Sequence, residues 1–409
     1  MKLKLLVAAL SICTFLTVDK VNAQKDSTKK NEDKIANMRM GGSSRFLTKL
    51  YKNAPLSIGA YGEDHYHQPM GSDKRYNGTM DVHRLVPFLG FNFNKNVSFF
   101  TELEIEHVDE IYVEQAFIDY RINRFMTFRS GLLLMPMGII NEYHESTTFF
   151  SVERPGMDHD IIPTTWRELG AGLTGNIYSA SLRYQLYAVN GFKSYDNGSG
   201  TLGGGESFRG GRQKASKSTI SSPNVTGKVE YYGIKGLRVG LSGYFGKTQS
   251  TLYHGANSDM EKRADSTVVG LNMLAADFRY RIKGLKLRGQ YVYGKMNNVA
   301  EYNSFTGSDL GASMSGYYVT AGYNVLNLCK KNKNQDITVF ARYENYDTHN
   351  SVTGEMKENK AYDRSTITFG ANYTIAKGAV LKADYQIRED GTDKDLPNMF
   401  NAGIGFWFY

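Results

Sequence analysis

From Pro55 to the C-terminus apolar and polar residues alternate with a period of two, and no apolar run after the first two dozen residues approaches the length of a membrane helix. In LRVGLSGYFG (237–246), Leu237, Val239, Leu241, Gly243 and Phe245 share one face, and Arg238, Gly240, Ser242 and Tyr244 share the other. STITFGANYTI (365–375) repeats the pattern, with Ile367, Phe369, Ala371, Tyr373 and Ile375 opposing Thr366, Thr368, Gly370 and Asn372. Sixteen such segments are read, near 55–64, 80–92, 97–106, 112–122, 124–134, 167–177, 179–190, 223–232, 236–246, 266–282, 285–295, 313–324, 335–346, 362–375, 379–389 and 398–409. Their connections alternate between short (FNKN, INRF, IYSA, IKG, IAKG) and long (65–79, 135–166, 191–222, 247–265, 296–312, 347–361). The short 107–111 and the long 325–336 break the rule.

Short turns on one side and long loops on the other characterise outer-membrane barrels. In lipid every backbone N–H and C=O must be paired within the protein, which a strand-rich chain achieves only by closing on itself. The expected fold is therefore all-β: a transmembrane antiparallel β-barrel of about sixteen strands, apolar face to lipid, polar face to the lumen, both termini periplasmic. The 28 tyrosines suit interfacial aromatic girdles. In the final FNAGIGFWFY (400–409), Phe400, Ala402, Ile404, Phe406 and Phe408 fit the lipid face, with Trp407 and Tyr409 inward or at the rim, and the opposite phase stays open near the end. Pro87, inside RLVPFLGF, removes a ladder hydrogen bond and implies a bulge or a shifted boundary.

The beginning has the parts of a secretory signal peptide: Lys2 and Lys4, an apolar core over 5–18, and Val21-Asn22-Ala23 before Gln24. The expected organisation is a signal at 1–23, a polar periplasmic lead-in at 24–53 and the barrel at 54–409. Cleavage removes Cys13 and leaves Cys329 alone, so no intramolecular disulfide can form. The net charge of +8 falls to near +6 once three lysines and one aspartate leave. In an exported chain this biases toward anionic solutes or lipid headgroups rather than nucleic acid.

Counting strands places 135–166 after the fifth, as the third long-side loop. It reads MPMGIINEYHESTTFFSVERPGMDHDIIPTTW, with acids Glu142, Glu145, Glu153, Asp158 and Asp160, His144 and a lone Arg154. The polar residues suit a loop in water inside the barrel. Phe149, Phe150, Ile161, Ile162 and Trp166 would pack it on the wall, and Pro136, Pro155 and Pro163 would stiffen it. The run from VEQAFIDY (113–120) through PMGIINEYHE, VERP and IIPTTWRELGAG resembles the phosphate-selective porin O/P family, in the version found in Bacteroidetes-like bacteria. The resemblance covers 30 to 60 residues or so and implies a passive, trimeric outer-membrane channel for small hydrophilic solutes, anions such as phosphate among them, with this loop folded inward as the constriction. Known members line that constriction with Arg and Lys, whereas this loop is acidic.

The candidate constriction residues are Glu142, His144, Glu145, Glu153, Arg154, Asp158 and Asp160. The candidate anion-lining residues are Arg129, Arg238, Arg279, Arg281, Lys286 and Arg288, with Arg183, Lys228, Arg342, Lys382 and Arg388 as further inward cations and Glu102, Glu104 and Glu106 as an acidic wall. No H-E-x-x-H or EF-hand spacing supports a metal site, and no cofactor is implied. Two rival classes stand beside the channel. An outer-membrane hydrolase would draw on Ser151 and His144, but no G-x-S-x-G elbow accompanies them. A structural or adhesin-like barrel would be non-conducting. The glycine-rich 190–211 reads as a flexible external loop, and EDHYHQ (63–68) as a loop tip.

Overall fold

The computed structural model describes residues 55–71, 74–328, 335–392 and 396–408. The signal, the lead-in, Cys329 and Tyr409 lie outside the described residues. Sixteen antiparallel strands close into one barrel, each paired with its sequence neighbours and the last with the first. They are β1 Leu56–Met70, β2 Thr79–Asn92, β3 Val97–Glu106, β4 Glu110–Arg121, β5 Met126–Leu134, β6 Arg167–Ile177, β7 Leu182–Val189 and β8 Asn224–Tyr231. They continue as β9 Leu237–Lys247, β10 Gly270–Ile282, β11 Leu285–Asn297, β12 Ser313–Asn324, β13 Asp336–Ser351, β14 Asp363–Ala376, β15 Ala379–Asp390 and β16 Asn398–Phe408. Closure between β16 and β1 runs from Ala60–Phe408 to Met70–Asn398 and leaves no open edge. Among the described residues no helix is long and apolar enough to cross a membrane.

Burial is inverted relative to a water-soluble protein. Leu241 is 63% exposed, and Val239, Phe245, Leu274, Val319, Ile367 and Phe369 are exposed with it, while Ser242, Tyr244, Lys228, Glu230, Asp277, Arg342 and Lys382 are buried. The alternation thus sends the apolar face to lipid and the polar face inward. On β16, Phe400, Ile404 and Phe408 are exposed and Trp407 is buried, which fixes the inward phase of the C-terminal strand. An Arg in place of Leu241, near the middle of β9, is expected to cost roughly 2–4 kcal/mol of folding stability in bilayers. On a water-exposed face the same change would be worth about 0.5 kcal/mol or less. Urea titration of the protein in liposomes separates the two.

Local chemistry explains the short turns. Between β10 and β11 only Lys283 and Gly284 intervene, at φ 46° and 93°, the twist a two-residue hairpin needs. Asn94 Oδ1 accepts from the Asn96 and Val97 amides and shapes the turn before β3.

Three expectations are corrected. β1 does not end at 64 but runs to Met70, so EDHYHQ is strand; its inward phase carries Glu63, His65 and His67 into the lumen instead of onto a loop tip. Pro87 stays inside β2 opposite Ala60 without a register break, while the ladder to β3 skips Val86 and Pro87. The bulge lies four residues away: Glu63 faces Arg84 and Asp64 faces Val82, leaving His83 as the extra residue. Finally, the segment 190–211 is packed: Phe192, Leu202 and Phe208 are buried, and 193–196 pairs with 199–200 and 249–250 in a small separate sheet.

Candidate functional site: the loop inside the barrel

The 135–166 loop enters the lumen and is almost wholly buried there. Its neck is closed by the Met135 amide donating to the Trp166 carbonyl at 3.0 Å. Asn141 locks it: its amide donates to the Met135 and Trp166 carbonyls at 2.7 and 2.9 Å, and its oxygen accepts from the Trp166 amide at 2.7 Å. Trp166 stacks on Phe192, packs against Tyr244 and donates its indole N–H to Glu168. These contacts gather β6, β9 and the segment after β7 around one aromatic anchor.

A loop buried inside a barrel must find partners for its backbone on the wall. Gly138 sits at φ 63° where a Cβ would fall 2.4 Å from Gln290 Oε1, so only glycine fits. The adjacent Ile139 amide donates to that oxygen at 2.6 Å. Further round, Arg84 donates to the His144 carbonyl, Arg288 to Thr148 O at 2.7 Å, and Lys382 to Ser151 O at 2.9 Å. The Val152 amide donates to Asp384 and the Gly156 amide to Glu344. The loop therefore spans the lumen, and the inward polar residues of most strands are its ligands.

Of the predicted constriction residues, Glu142 is pinned to the wall by Lys228 at 3.1 Å, Arg183 at 3.4 Å and Gln185 at 2.5 Å. Burial pushes its carboxyl up, but Lys228 and Arg183 prevail and hold it at about 2. His144 lies 3.2 Å from Glu114 and 2.9 Å from the Tyr61 hydroxyl. Glu145 is fully buried. Asp160 accepts from Arg364 and Tyr346. Glu153 reaches His65 at 2.8 Å and His67 at 3.2 Å.

Glu153, Arg154 and Asp158 line a cavity of about 430 Å³ beside the β3–β4 connection. Glu104, Glu106, His83, His107 and Tyr112 line it too, together with Arg167, Arg209, Arg212 and Lys214. The short β3–β4 connection, which sequence reading marked as an exception, forms the rim there. Arg209 and Arg212 donate to the loop carbonyls of Pro163 and Thr164. Burial, then Arg209 and Arg167, push the Arg212 guanidinium down to about 9. Three of the cavity's cations come from 209–214, a segment sequence reading assigned no role. The run RGGRQK (209–214) was the available signal.

The six candidate anion-lining cations all lie on barrel strands, outside this cavity. Arg129 forms a bidentate pair with Asp119. Arg279 and Arg238 face Glu230, and Lys286 holds Asp336 at 2.6 Å. Arg288 serves the loop and packs over Phe150, while Arg281 is exposed. The hydrolase candidates are not brought together: the Ser151 hydroxyl donates to Glu153 O and accepts from Arg342, while His144 meets Tyr61, Glu114 and Asn141 O.

Three groupings among the described residues have metal-ligand spacing: His65, His67 and Glu153; Asp81, His83 and His107; and Glu102, Glu114 and His144.

Asp158 gives the loop a pH dependence. Burial raises its carboxyl to about 7, with Glu344 adding to the rise while Gln290 and Arg342 oppose it. The unfolded value is about 3.9, so between roughly pH 4 and 7 the folded chain holds an extra proton. Docking is therefore favoured below pH 4 on this group's account and loses that contribution as pH rises to 7. Thermal unfolding in detergent is expected to show this downward slope, and Asp158→Asn to flatten it.

No protein-family profile matches the chain. An uncharacterized protein of Aquifex aeolicus (strain VF5) is 30% identical over 379 residues, covering 88% of this chain and 82% of that protein. Among solved structures, the outer membrane channel DcaP of Acinetobacter baumannii aligns with a TM-score of 0.56 at 11% identity, over 86% of this chain and 97% of its own. Salmonella typhi OmpF in complex with daunomycin gives 0.55 at 14%, over 86% and 97%. The anion-selective porin from Comamonas acidovorans gives 0.51 at 11%, over 86% and 99%. The shared feature is the fold, a closed antiparallel β-barrel.

Proposed function

We propose that this chain, which belongs to the family of the Aquifex aeolicus protein, is an outer-membrane porin for passive diffusion of small hydrophilic solutes, anions such as phosphate among them. The observation that carries the reading is the sixteen-stranded closed barrel whose inner face is polar and whose 135–166 loop packs inside it beside a charged cavity. A barrel of this strand number is wide enough for an aqueous channel. The anion preference is proposed to reside in Arg154, Arg167, Arg209, Arg212 and Lys214, because two of these arginines are held by carbonyls and the five cations outnumber the four acids lining the same cavity. The neighbour titled anion-selective shares only the fold, so the preference is argued from these residues alone. A homotrimer is the proposed assembly, after a neighbour, OmpT of Vibrio cholerae, solved in a trimer form.

The test is planar-bilayer recording on the purified protein. Stepwise conductance is expected, with a reversal potential in a KCl gradient that favours chloride and phosphate that blocks the current. Arg212→Gln with Lys214→Gln should move the reversal potential toward zero. Absence of steps would favour the non-conducting barrel, and phospholipid hydrolysis lost in Ser151→Ala would favour the hydrolase.

A further inference from the structure

Behind the loop, against β3 and β4, two buried carboxylates have collected beside one imidazole. Glu102 and Glu114 are each 0% exposed and His144 1%. Glu145, next to His144, is equally buried. Glu114 owes its position to a bulge: Glu102 pairs with Gln115 and Leu103 with Val113, so Glu114 is the extra residue and turns inward beside Gln115.

The hydrogen-bond accounting is incomplete on one side of each group. Glu102 Oε2 accepts from Gln115 at 2.6 Å, and Glu114 Oε2 from the Tyr61 hydroxyl at 2.8 Å. Glu102 Oε1 and Glu114 Oε1 accept no hydrogen bond. His144 Nδ1 lies 3.2 Å from the Asn141 carbonyl, which only an N–H can satisfy. In the neutral ring that places the lone pair on Nε2, 3.2 Å from Glu114 Oε1. Two acceptors then face each other, and Tyr61 has already spent its proton on Glu114. The neighbouring arginines are committed elsewhere: Arg84 to Glu63 and the His144 carbonyl, Arg167 to Glu104 and Thr165. Desolvated carboxylates require a partner charge.

We propose that Glu102, Glu114 and His144 hold a divalent metal ion of the class that takes carboxylate and imidazole together, Zn²⁺ or Mn²⁺, and that the ion fastens the loop to the β3–β4 wall. One ligand atom of each residue lies within 4.8 Å of the others, so shifts of a few tenths of an ångström in the side chains bring all three to the roughly 2.0–2.2 Å bonds that one such ion needs. The Asn141 carbonyl on Nδ1 is the outer partner that orients a metal-binding imidazole. Two ligands come from the wall and one from the loop, so the ion would join the two as the barrel closes.

The test folds the full chain from denaturant into detergent with chelator, with Zn²⁺ or with Mn²⁺, and measures metal by mass spectrometry after gel filtration. About one ion per folded chain is expected with one of the metals and none with chelator. The metal-loaded form should unfold at higher temperature than the chelator-folded one. Folded Glu114→Gln and His144→Asn should each retain less than about a tenth of the ion. Because a variant can fail to fold, wild type alone is decisive. A folded wild-type chain carrying less than about a tenth of an ion after either metal would overturn the proposal. So would full loading of the folded variants, which would place the ion elsewhere, as at His65, His67 and Glu153.

Discussion

Replacing residues 137–164 with a short Gly-Ser turn is expected to raise single-channel conductance several-fold and to admit larger neutral solutes. The expectation follows from where the loop's partners are. Its backbone and side chains bond to inward residues on most of the barrel's strands, so it crosses the lumen rather than lining one wall. The strands do not depend on it for their own ladders, which run from neighbour to neighbour around the whole barrel. The cut also spares Met135 and Trp166, whose backbone bond closes the neck, and the packing of Trp166 on Phe192 and Tyr244. The wall would then present Lys228, Asp277, Arg342, Glu344 and Asp384 to water, as lumen faces of open barrels do. Stability should fall, because Met137, Ile139, Ile140, Phe149, Val152, Ile161 and Ile162 are all buried by the loop. Polymer-exclusion recordings in planar bilayers read the change in bore. An unchanged conductance would mean that the packed 190–211 segment, not the loop, sets the resistance.

The barrel was legible because its signals are local. Alternation is visible within ten residues, and turn length distinguishes one side from the other, so sixteen segments and the lipid face emerged together. The inward end of β1 was missed because Glu63, His65 and His67 alternate with Asp64, Tyr66 and Gln68. Near the mouth both faces are polar, and the period-two contrast that marks a strand disappears. The bulges at His83 and Glu114 left no mark, since a bulge is a property of two strands rather than one. Placing the loop inside the barrel followed from the strand count together with the family resemblance, but its partners did not follow. Val152 meets Asp384 and Ser151 meets Lys382 across more than half the chain, juxtapositions made only by closure. The predicted cationic wall illustrates the same limit. Arg279 and Lys286 were identifiable as inward, yet Glu230 and Asp336, which neutralise them, could be assigned only once register was fixed.

Lys228 concentrates that closure-dependent energy at one atom. Its ammonium lies 3.1 Å from Glu142 and 3.2 Å from Asp277 and donates to the Gly138 carbonyl, with its side chain 2% exposed. One cation therefore joins the loop, β8 and β10. Methionine at 228 keeps the stem's volume and removes the charge, leaving Asp277 desolvated without its cation and Glu142 with Arg183 and Gln185 alone. Breaking a buried pair in this way costs roughly 3–5 kcal/mol, far more than the pair contributes relative to an apolar replacement. Unfolding of Lys228→Met in detergent or liposomes is expected to show a loss of that order, with noisier current as the loop loosens. The triple change Lys228→Met, Glu142→Gln, Asp277→Asn should recover much of it, because neutral amides carry no desolvated charge. The acid limb provides an independent reading. Glu142 sits at about 2 in the folded chain, below its unfolded value of about 4.3. Its contribution is present above that unfolded value and is lost as pH falls toward 2. Without Lys228 the chief charge holding it down is gone, so that acid-side loss should shrink. A Lys228→Met protein with wild-type stability and an unchanged acid limb would show that the loop is held by its aromatic anchor and backbone bonds alone.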